Sequence, residues 1–374
     1  MNTYEWGWNL HRLTIDRLSW QQPFGKKPGL KKMLFITESD PLCHTQFFPF
    51  WHYRTELARR FRIEVRELPL SQFLAGKNTY RDVDAVCFQT WFDLTPEAVR
   101  DIAVRMRTSF PGARLAYFDW FAPTHIRYAE VLDEYITVYV KKQVLRDRSQ
   151  YEIPVRGDTN LSDYYARHFN LEGHPPLRFN LPPNFWQKFW LAPHFAFSPH
   201  MMTLFQREFP KGSRHIDLHA RIAVKGSEWY TRMRQEALDK TLALEGKIQV
   251  VCRGRVDRDA YFKELYQSKL CFSPFGYGEV CWRDFEAMFT GSLLLKPDMS
   301  HIDCYPEVFF PNKTYVPLAW DLSDFEDKIK YYLEHEDQRV AIAQRAFEHL
   351  AEYFREHRFL KDIEPLLEQL KILD

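Results

Sequence analysis

The sequence predicts an α/β protein in which two doubly wound, Rossmann-like domains face each other across a cleft. Short apolar runs alternate with helix-like segments, as in parallel βαβ units, and this alternation occurs in two separate series. A proline-rich stretch without clear periodicity separates the two series. The chain has 374 residues, and a single hydrophobic core rarely extends beyond roughly 250–300 residues. Two domains are therefore expected.

The first series of strands and helices runs from residue 33 to about residue 142. Apolar runs predict its strands at residues 33–40, 62–68, 84–90, 113–120 and 136–142. Helical spacing predicts helices at residues 52–61, 95–110 and 125–135, and the second of these begins with Thr95 as a capping residue followed by Pro96. The polar and aromatic residues 1–32 are predicted to form an N-terminal extension.

The second series begins after residues 150–212, which contain four proline motifs and are predicted to connect the domains. Its strands are predicted at residues 215–224, 247–254, 269–275, 292–298 and 315–320, and its helices at residues 227–244, 258–268 and 322–335. We therefore divide the chain into an N-terminal domain (33–195), a C-terminal domain (196–345) and a C-terminal helix (346–374). That last helix is expected to return to the N-terminal domain.

Composition excludes several classes of protein. The chain has 51 Lys and Arg against 50 Asp and Glu, which argues against general nucleic-acid binding, since such proteins usually carry a basic excess. The six cysteines form no CxxC pair, and core thiols in a reducing cytoplasm explain them best. No signal-peptide pattern and no run of roughly 20 apolar residues is present. A cytoplasmic protein with at most peripheral contact with the inner face of the membrane is expected.

The segment Ser273–Gly291, SPFGYGEVCWRDFEAMFTG, carries the clearest chemical signal. It is not a dinucleotide fingerprint, because Cys281 stands where the third glycine would be, and it lacks the lysine of a Walker A loop. Backbone N–H groups at the start of the predicted helix favour an anion. Arg283 in the first turn suits a diphosphate, and Glu286 lies on the same helical face. A simple turn with a surface pair, either Arg283 with Glu286 or Glu279 with Arg283, explains the pattern equally well.

Residues 273–298 resemble the donor-binding segment of GT-B glycosyltransferases, especially bacterial family-1-like and exostosin-like members. The match is specific over about 26 residues, and a weaker similarity in order and spacing extends over residues 213–345. The resemblance implies that the domain 33–195 lies on the acceptor side and that the domain 196–345 binds the nucleotide sugar. It implies that Glu286 holds the nucleotide ribose. It also implies that Arg283 and a loop of four residues meet the diphosphate; these four are Gly276, Tyr277, Gly278 and Glu279.

The chain departs from the family at one position. Retaining members with a paired-glutamate signature carry a second glutamate eight residues before the first, where this sequence has Gly278. Glu279 is displaced by one residue and is a candidate catalytic acid in its place. Whether the enzyme retains or inverts the configuration of the sugar stays open.

Further candidate site residues lie at the ends of other predicted strands. Arg221 and Arg253 are candidates for binding the donor diphosphate. Asp40, His44 and Asp119 are candidates for the catalytic base, since a general base is needed on the acceptor side. Five other polar residues, for which structural roles explain the pattern equally well, are Glu38, His125, Asp158, Asn160 and Asp163. No metal site is predicted, because the His215 and His219 pair lacks further ligands.

The sequence therefore predicts a metal-independent glycosyltransferase of bacterial surface-polysaccharide biosynthesis. The resemblance implies a nucleotide-diphosphate sugar as donor substrate, no bound cofactor, and a glycan or lipid-linked glycan acceptor. Alternatives with the same architecture are a nucleotide-sugar epimerase, a glycogen-phosphorylase-like enzyme, for which no cofactor-bearing lysine region is evident, and a non-catalytic nucleotide-sugar-binding or scaffold protein.

Overall fold

A computed structural model of the chain describes residues 22–25, 28–173 and 175–373. Most of the predicted N-terminal extension lies outside the described residues. The strands are β1 (Lys31–Thr37), β2 (Ile63–Pro69), β3 (Ala85–Phe88), β4 (Arg114–Asp119), β5 (Val138–Lys141), β6 (Gln143–Leu145), β7 (Val155–Arg156), β8 (Pro176–Leu177), β9 (Phe189–Leu191), β10 (Ile216–His219), β11 (Val250–Val251), β12 (Ser268–Phe272), β13 (Leu293–Pro297), β14 (Ile302–Cys304) and β15 (Val316–Leu318).

Helices connect most of these strands. They span Pro41–His44, Phe48–His52, Arg54–Arg60, Leu70–Leu74, Pro96–Ser109, Ala129–Leu132, Asn160–His168, Pro199–Met202, Glu228–Leu242, Arg258–Tyr266, Trp282–Thr290, Phe325–Glu334, Glu336–Arg355, Phe359–Asp362 and Glu364–Gln369. Shorter 3₁₀ segments lie at Arg148–Glu152 and Phe185–Lys188. We refer to Trp282–Thr290 as the site helix and to residues 276–279 as the glycine loop.

Two parallel sheets confirm the predicted fold class. The first has the strand order β2-β1-β3-β4-β5-β9 and the second the order β11-β10-β12-β13-β15, with every neighbouring pair parallel. In both sheets the strand order reverses beside the first strand of the series. Ligands of such doubly wound sheets bind beyond the carboxyl ends of the strands at this reversal, so the topology marks one candidate site in each half.

The N-terminal cap predicted at Thr95 is present, and a glycine ends the site helix. Thr95 accepts a hydrogen bond from the backbone N–H of Ala98, and Pro96 is the first residue of its helix. Gly291 ends the site helix with a φ of 71°, a left-handed conformation that costs glycine little.

Strand pairing and a shared apolar core join the two halves, in addition to the connecting chain. Strand β6 of the first half pairs antiparallel with β14 of the second half. A continuous apolar core also contains residues of both sheets and of the C-terminal helices. Near the C-terminus, Phe359 packs on Phe50 and Tyr53, with ring centroids 5.2 and 5.5 Å apart. The exact domain limits stay a prediction, although the last helices do contact the first half.

Residues 150–212 contain more regular structure than their sequence predicts. The helix Asn160–His168 begins with a capping box between Thr159 and Ser162, and β9 adds a sixth strand to the first sheet. The expected helix over 125–135 is reduced to Ala129–Leu132, and the expected strand over 215–224 ends at His219. All six cysteines are free thiols, and five of them are buried.

Candidate functional site

The glycine loop follows β12 and leads into the site helix, beside the point where the strand order of the second sheet reverses. This is the position at which doubly wound sheets bind ligands. The backbone N–H of Gly276 donates to the carbonyl oxygen of Gly278 at 3.0 Å, which closes the loop into a tight turn.

Gly278 is required by a close contact between the two halves of the chain. A Cβ atom at this position would lie 1.9 Å from the carbonyl oxygen of Ala122, which belongs to the loop after β4. The paired-glutamate signature would place a carboxylate side chain here, and the contact with Ala122 leaves no space for one. The departure from the family pattern therefore has a steric cause in this structure.

Tyr277 carries the most exposed side chain of the glycine loop, at 44% exposure. Its ring stacks on Tyr230 with a centroid separation of 4.3 Å and an interplanar angle of 8°. Its hydroxyl oxygen accepts a hydrogen bond of 2.9 Å from the backbone N–H of Ser227, which precedes the helix Glu228–Leu242. These contacts hold the ring at the edge of the site.

A buried carboxylate fixes the start of the site helix. Asp284 accepts hydrogen bonds from the hydroxyl of Ser273 at 2.6 Å and from the backbone N–H of Cys281 at 2.8 Å. Lys296 lies 3.0 Å away and is fully buried. Burial raises the pKa of Asp284 above its usual value, and the charge of Lys296 opposes that effect. This pair positions the N-terminal N–H groups of the helix.

Arg283 lies in the first turn of the site helix, as the sequence predicted. Its guanidinium donates to the carbonyl oxygens of Phe272, at 3.4 Å, and of Arg221, so it bridges the ends of β12 and β10. Its Nε is buried and has no hydrogen-bond partner within the described part of the chain. A buried N–H of a cation without an acceptor is unfavourable, which favours an anionic ligand here.

Glu286 lies one turn further along the site helix and is 8% exposed. One carboxylate oxygen accepts from the hydroxyl of Tyr261 at 2.7 Å, and the other lies 2.9 Å from Nε2 of His200. Arg258 donates to Nδ1 of His200 at 3.1 Å. Because arginine only donates, this nitrogen is an acceptor and the proton of His200 is on Nε2, toward Glu286. A carboxylate accepts about four hydrogen bonds, so Glu286 retains capacity for a ribose.

Glu279 is fully buried and connects the two halves. Its carboxylate accepts hydrogen bonds from the side-chain amides of Gln143, at 2.6 Å, and Asn160, at 2.9 Å. Nε2 of His301 lies 3.3 Å from the same carboxylate. Gln143 and Asn160 belong to the first half, so the acid that the sequence offered as a catalytic candidate holds the closed arrangement of the halves.

The two remaining arginines predicted for the donor site are paired with glutamates. Arg221 makes two hydrogen bonds of 2.7 Å with Glu264, and a further nitrogen donates to the carbonyl oxygen of Gly254. Arg253 is exposed and makes bonds of 2.9 and 2.6 Å with Glu245. The structure therefore brings Arg283 to the glycine loop and places Arg253 on the surface.

Asp119, one of the three predicted candidates for the base in the first half, is fully buried. Its carboxylate lies 2.9 Å from Nζ of Lys141 and accepts hydrogen bonds from the hydroxyl of Tyr139 and the backbone N–H of Phe121. This set of partners fixes the charge of Asp119 inside the sheet rather than in the cleft.

Asp40 and His44 lie close together at the strand reversal of the first sheet. Asp40 caps the helix Pro41–His44 through a 2.7 Å hydrogen bond from the N–H of Leu42, and it is half-buried. His44 is buried, with Nε2 3.3 Å from the carboxylate of Glu67. Burial would raise the pKa of Glu67, but His44 and the other hydrogen-bond donors hold it below its usual value.

The other polar candidates fall into different surroundings. Glu38 is half-buried near Asp40, and burial raises the pKa of its carboxyl above the usual value. Burial holds the pKa of His125 well below its usual value. Asp158 lies 3.4 Å from Arg127 on the surface. Asn160 contacts Glu279, and Asp163 accepts from a backbone N–H seven residues earlier. Asn160 alone among these contacts the glycine loop.

Lys142 is a candidate that the sequence interpretation missed. It directly follows β5, it is 2% exposed, and its Nζ lies 4.1 Å from the centre of the Phe195 ring. Burial, followed by the charge of Lys141, lowers the pKa of the Lys142 ammonium to about 7. Two consecutive lysines at the end of an apolar strand were the available signal, since consecutive residues of a strand face opposite sides.

The described residues contain neither a cluster of metal ligands nor a membrane-spanning helix. No group of three or more His, Cys, Asp or Glu side chains converges as a metal site would require within residues 22–25, 28–173 and 175–373. In the same part of the chain, no helix is long and apolar enough to cross a membrane.

Comparison with known proteins gives a family match within the second half. Residues 207–364 match a family model described as glycosyl transferase-like. No curated protein matches the chain. The solved structures that resemble it include a glycosyltransferase from Rickettsia africae, with 12% identity, 91% of this chain and 99% of that chain covered, and a TM-score of 0.49.

Two further solved structures are also matched. An alpha-glucosyltransferase has 7% identity, 90% and 100% coverage of this chain and that chain, and a TM-score of 0.48. A putative UDP-N-acetylglucosamine 2-epimerase from Listeria monocytogenes has 12% identity, 91% and 97% coverage, and a TM-score of 0.46. At these identities and TM-scores the likeness gives no information on activity. The family-model match covers less than half of the chain, and within residues 207–364 it confirms the resemblance to glycosyltransferases predicted from the sequence.

Proposed function

We propose that the chain transfers a sugar from a nucleotide-diphosphate sugar to a glycan or glycoconjugate acceptor, without a bound metal, in bacterial surface-polysaccharide biosynthesis. The observation that carries the proposal is the position of the glycine loop and Arg283. Both lie at the strand reversal of the second sheet, within the segment that matches the glycosyl transferase-like family.

The donor diphosphate is proposed to bind at the start of the site helix. The N-terminal N–H groups of this helix and the unpaired Nε of Arg283 supply fixed positive charge where the leaving group develops negative charge. Glu286, already oriented by Tyr261 and His200, is proposed to accept hydrogen bonds from the ribose. Arg253 is proposed to have no part in donor binding, because it is exposed and paired with Glu245.

The acceptor is proposed to bind against the first half of the chain. Among the four catalytic candidates Asp40, His44, Asp119 and Glu279, Asp40 is half-buried while the other three are buried. We therefore assign the base to Asp40, with Glu38 beside it. The acceptor oxygen bonds to the anomeric carbon, the bond to the diphosphate oxygen breaks, and the base takes the hydroxyl proton. Retention and inversion both stay possible.

The protein is proposed to work in the cytoplasm, at most peripherally on the inner face of the membrane. Six free cysteine thiols support a reducing compartment. An epimerase and a non-catalytic nucleotide-sugar-binding protein stay the alternative functions.

One experiment separates these three functions. The purified chain is incubated with UDP-, GDP-, CMP- and dTDP-sugars without acceptor, and NMR follows the anomeric proton and the free nucleotide. A transferase releases nucleotide and free sugar slowly by transfer to water, and Asp40→Asn reduces that release while nucleotide binding persists. Conversion of the sugar to its epimer, or binding without any turnover, would contradict the proposal.

A further inference from the structure

Lys142 occupies a position that is unusual for a lysine. It is 2% exposed, and no oxygen in the described part of the chain accepts a hydrogen bond from its Nζ; the ring of Phe195 is its close contact. Lysine is almost never fully buried unless its charge is paired. A cation–π contact contributes only about 0.5–2 kcal/mol, which does not replace the hydration of an ammonium group.

The charged groups around Lys142 do not supply the missing partner. Lys141, on the same strand, carries a like charge. Asp119 is the nearest carboxylate on the neighbouring strand, but it is bound to Lys141 and to the hydroxyl of Tyr139. Cys43, in the helix Pro41–His44, and Cys281, the residue before the site helix, are thiols whose pKa values burial raises, so they are neutral at pH 7.

Two sets of contacts place Lys142 beside the start of the site helix. Phe195, the ring below its Nζ, stacks on Trp282, the first residue of that helix, with centroids 4.8 Å apart. Cys281, the residue before Trp282, is among the groups whose charge would act on the Lys142 ammonium. The ammonium group therefore comes from the first half and faces the anion-binding end of the second half.

We propose that Lys142 is a donor-binding residue that the first half contributes across the cleft, and that its ammonium group pairs with the diphosphate of a nucleoside diphosphate. This inference rests on the proposed function, because it assigns the anion to the same donor site. It adds a second cation to Arg283, and the two come from opposite halves. A donor bound between them would hold the cleft closed.

Pairing with a diphosphate should change the protonation of Lys142. Without a ligand the Lys142 pKa of about 7 leaves the amine largely unprotonated above neutral pH. A bound diphosphate favours the charged form, so binding above pH 7 takes up a proton. The affinity for a nucleoside diphosphate is therefore expected to fall as pH rises from 7 toward 9, a range in which its terminal phosphate, with a pKa of about 6, no longer titrates.

Isothermal titration calorimetry on the full chain tests the proposal. UDP, GDP, CDP and dTDP are titrated at pH 7.0 and 9.0, in buffers of different ionisation enthalpy, with inorganic pyrophosphate as a probe of the anion site alone. Lys142→Met removes the charge at similar volume, Lys142→Arg keeps it at every pH, and Lys269→Met, at a lysine paired with Asp217, is the control.

We expect Lys142→Met to weaken binding about tenfold or more at pH 7.0, the effect of losing a charge-assisted contact. Proton uptake should disappear in the same variant, and Lys142→Arg should bind without the pH dependence. Unchanged affinity and unchanged proton uptake in Lys142→Met would overturn the proposal. Pyrophosphate binding that depends on Lys142, without binding of any nucleotide, would support the anion site and contradict the nucleotide-sugar function. Absence of binding by every probe would contradict both.

Discussion

The contact at Gly278 gives the sharpest test of how the two halves meet. Replacing Gly278 with alanine adds a Cβ atom that would lie 1.9 Å from the carbonyl oxygen of Ala122, and the next atoms it meets also belong to the Ala122 backbone. Real Cβ contacts are longer than 3.0 Å. Because the obstacle is backbone, one of the two loops must move by more than an ångström.

Two effects determine how far Gly278→Ala lowers the free energy of unfolding. Forcing an extra carbon into a packed contact costs about 1–3 kcal/mol. The movement also stretches the hydrogen bonds of Gln143 to Ala122 and Glu279, each contributing about 1 kcal/mol. We expect Gly278→Ala to lower the free energy of unfolding by about 2–5 kcal/mol, which corresponds to a fall in Tm of roughly 2–6 °C for a chain of 374 residues.

Gly276→Ala is a matched control in the same loop. Its added Cβ would lie 3.5 Å from Sγ of Cys281, an ordinary van der Waals distance, and its backbone conformation is open to alanine. Differential scanning calorimetry measures both variants, and small-angle scattering reports whether the halves separate. Equal Tm values for the two variants, together with an unchanged radius of gyration, would refute the close contact between the halves.

Three further predictions concern buried polar groups. Glu279→Gln should lower the free energy of unfolding by about 1–3 kcal/mol, because its amide faces the donating amide of Gln143; unchanged denaturation midpoints would contradict this. His219 is buried and its pKa is lowered to about 3. The free energy of unfolding should therefore fall by about 1.4 kcal/mol for each pH unit between about 6.5 and 3. His219→Gln should flatten the pH dependence of Tm, and His215→Gln, the control at an exposed site, should not. Lys142→Met should raise the free energy of unfolding at pH 7 by about 2–5 kcal/mol, because the buried lysine binds its proton less tightly than the unfolded one. This gain should shrink toward pH 10, where the lysine of the unfolded chain also loses its proton. A variant that is less stable than the parent at pH 7 would contradict this.

Elements with strong local signals could be predicted from the sequence. The alternation of apolar strands and periodic helices predicted both parallel sheets, and Thr95 and Gly291 marked helix ends through their own side-chain and backbone chemistry. Short strands that form only by pairing with residues distant in the sequence were not predicted. Strand β9 forms because the edge of the first sheet accepts it, and β6 with β14 forms only when the halves meet.

In the candidate site, too, local features could be predicted and long-range contacts could not. The glycine loop, Arg283 and Glu286 lie within one short segment, so their mutual positions followed from the helical spacing. The pairing of Arg221 with Glu264 joins residues 43 positions apart, which no local pattern indicates. Gly278 resembled a missing acid in the sequence, and only the neighbouring Ala122 explains why glycine stands there.

Donor binding is the central claim, and a thermal-shift and calorimetric screen of UDP-, GDP-, CMP- and dTDP-sugars tests it most directly. The parent and Arg253→Ala, which removes an exposed arginine paired with Glu245, should both be stabilised by at least one nucleotide sugar. Arg283→Ala should lose most of that stabilisation. If no nucleotide sugar raised the Tm of the parent, or if Arg283→Ala and Arg253→Ala kept the same shift, the assignment of the donor site would be contradicted.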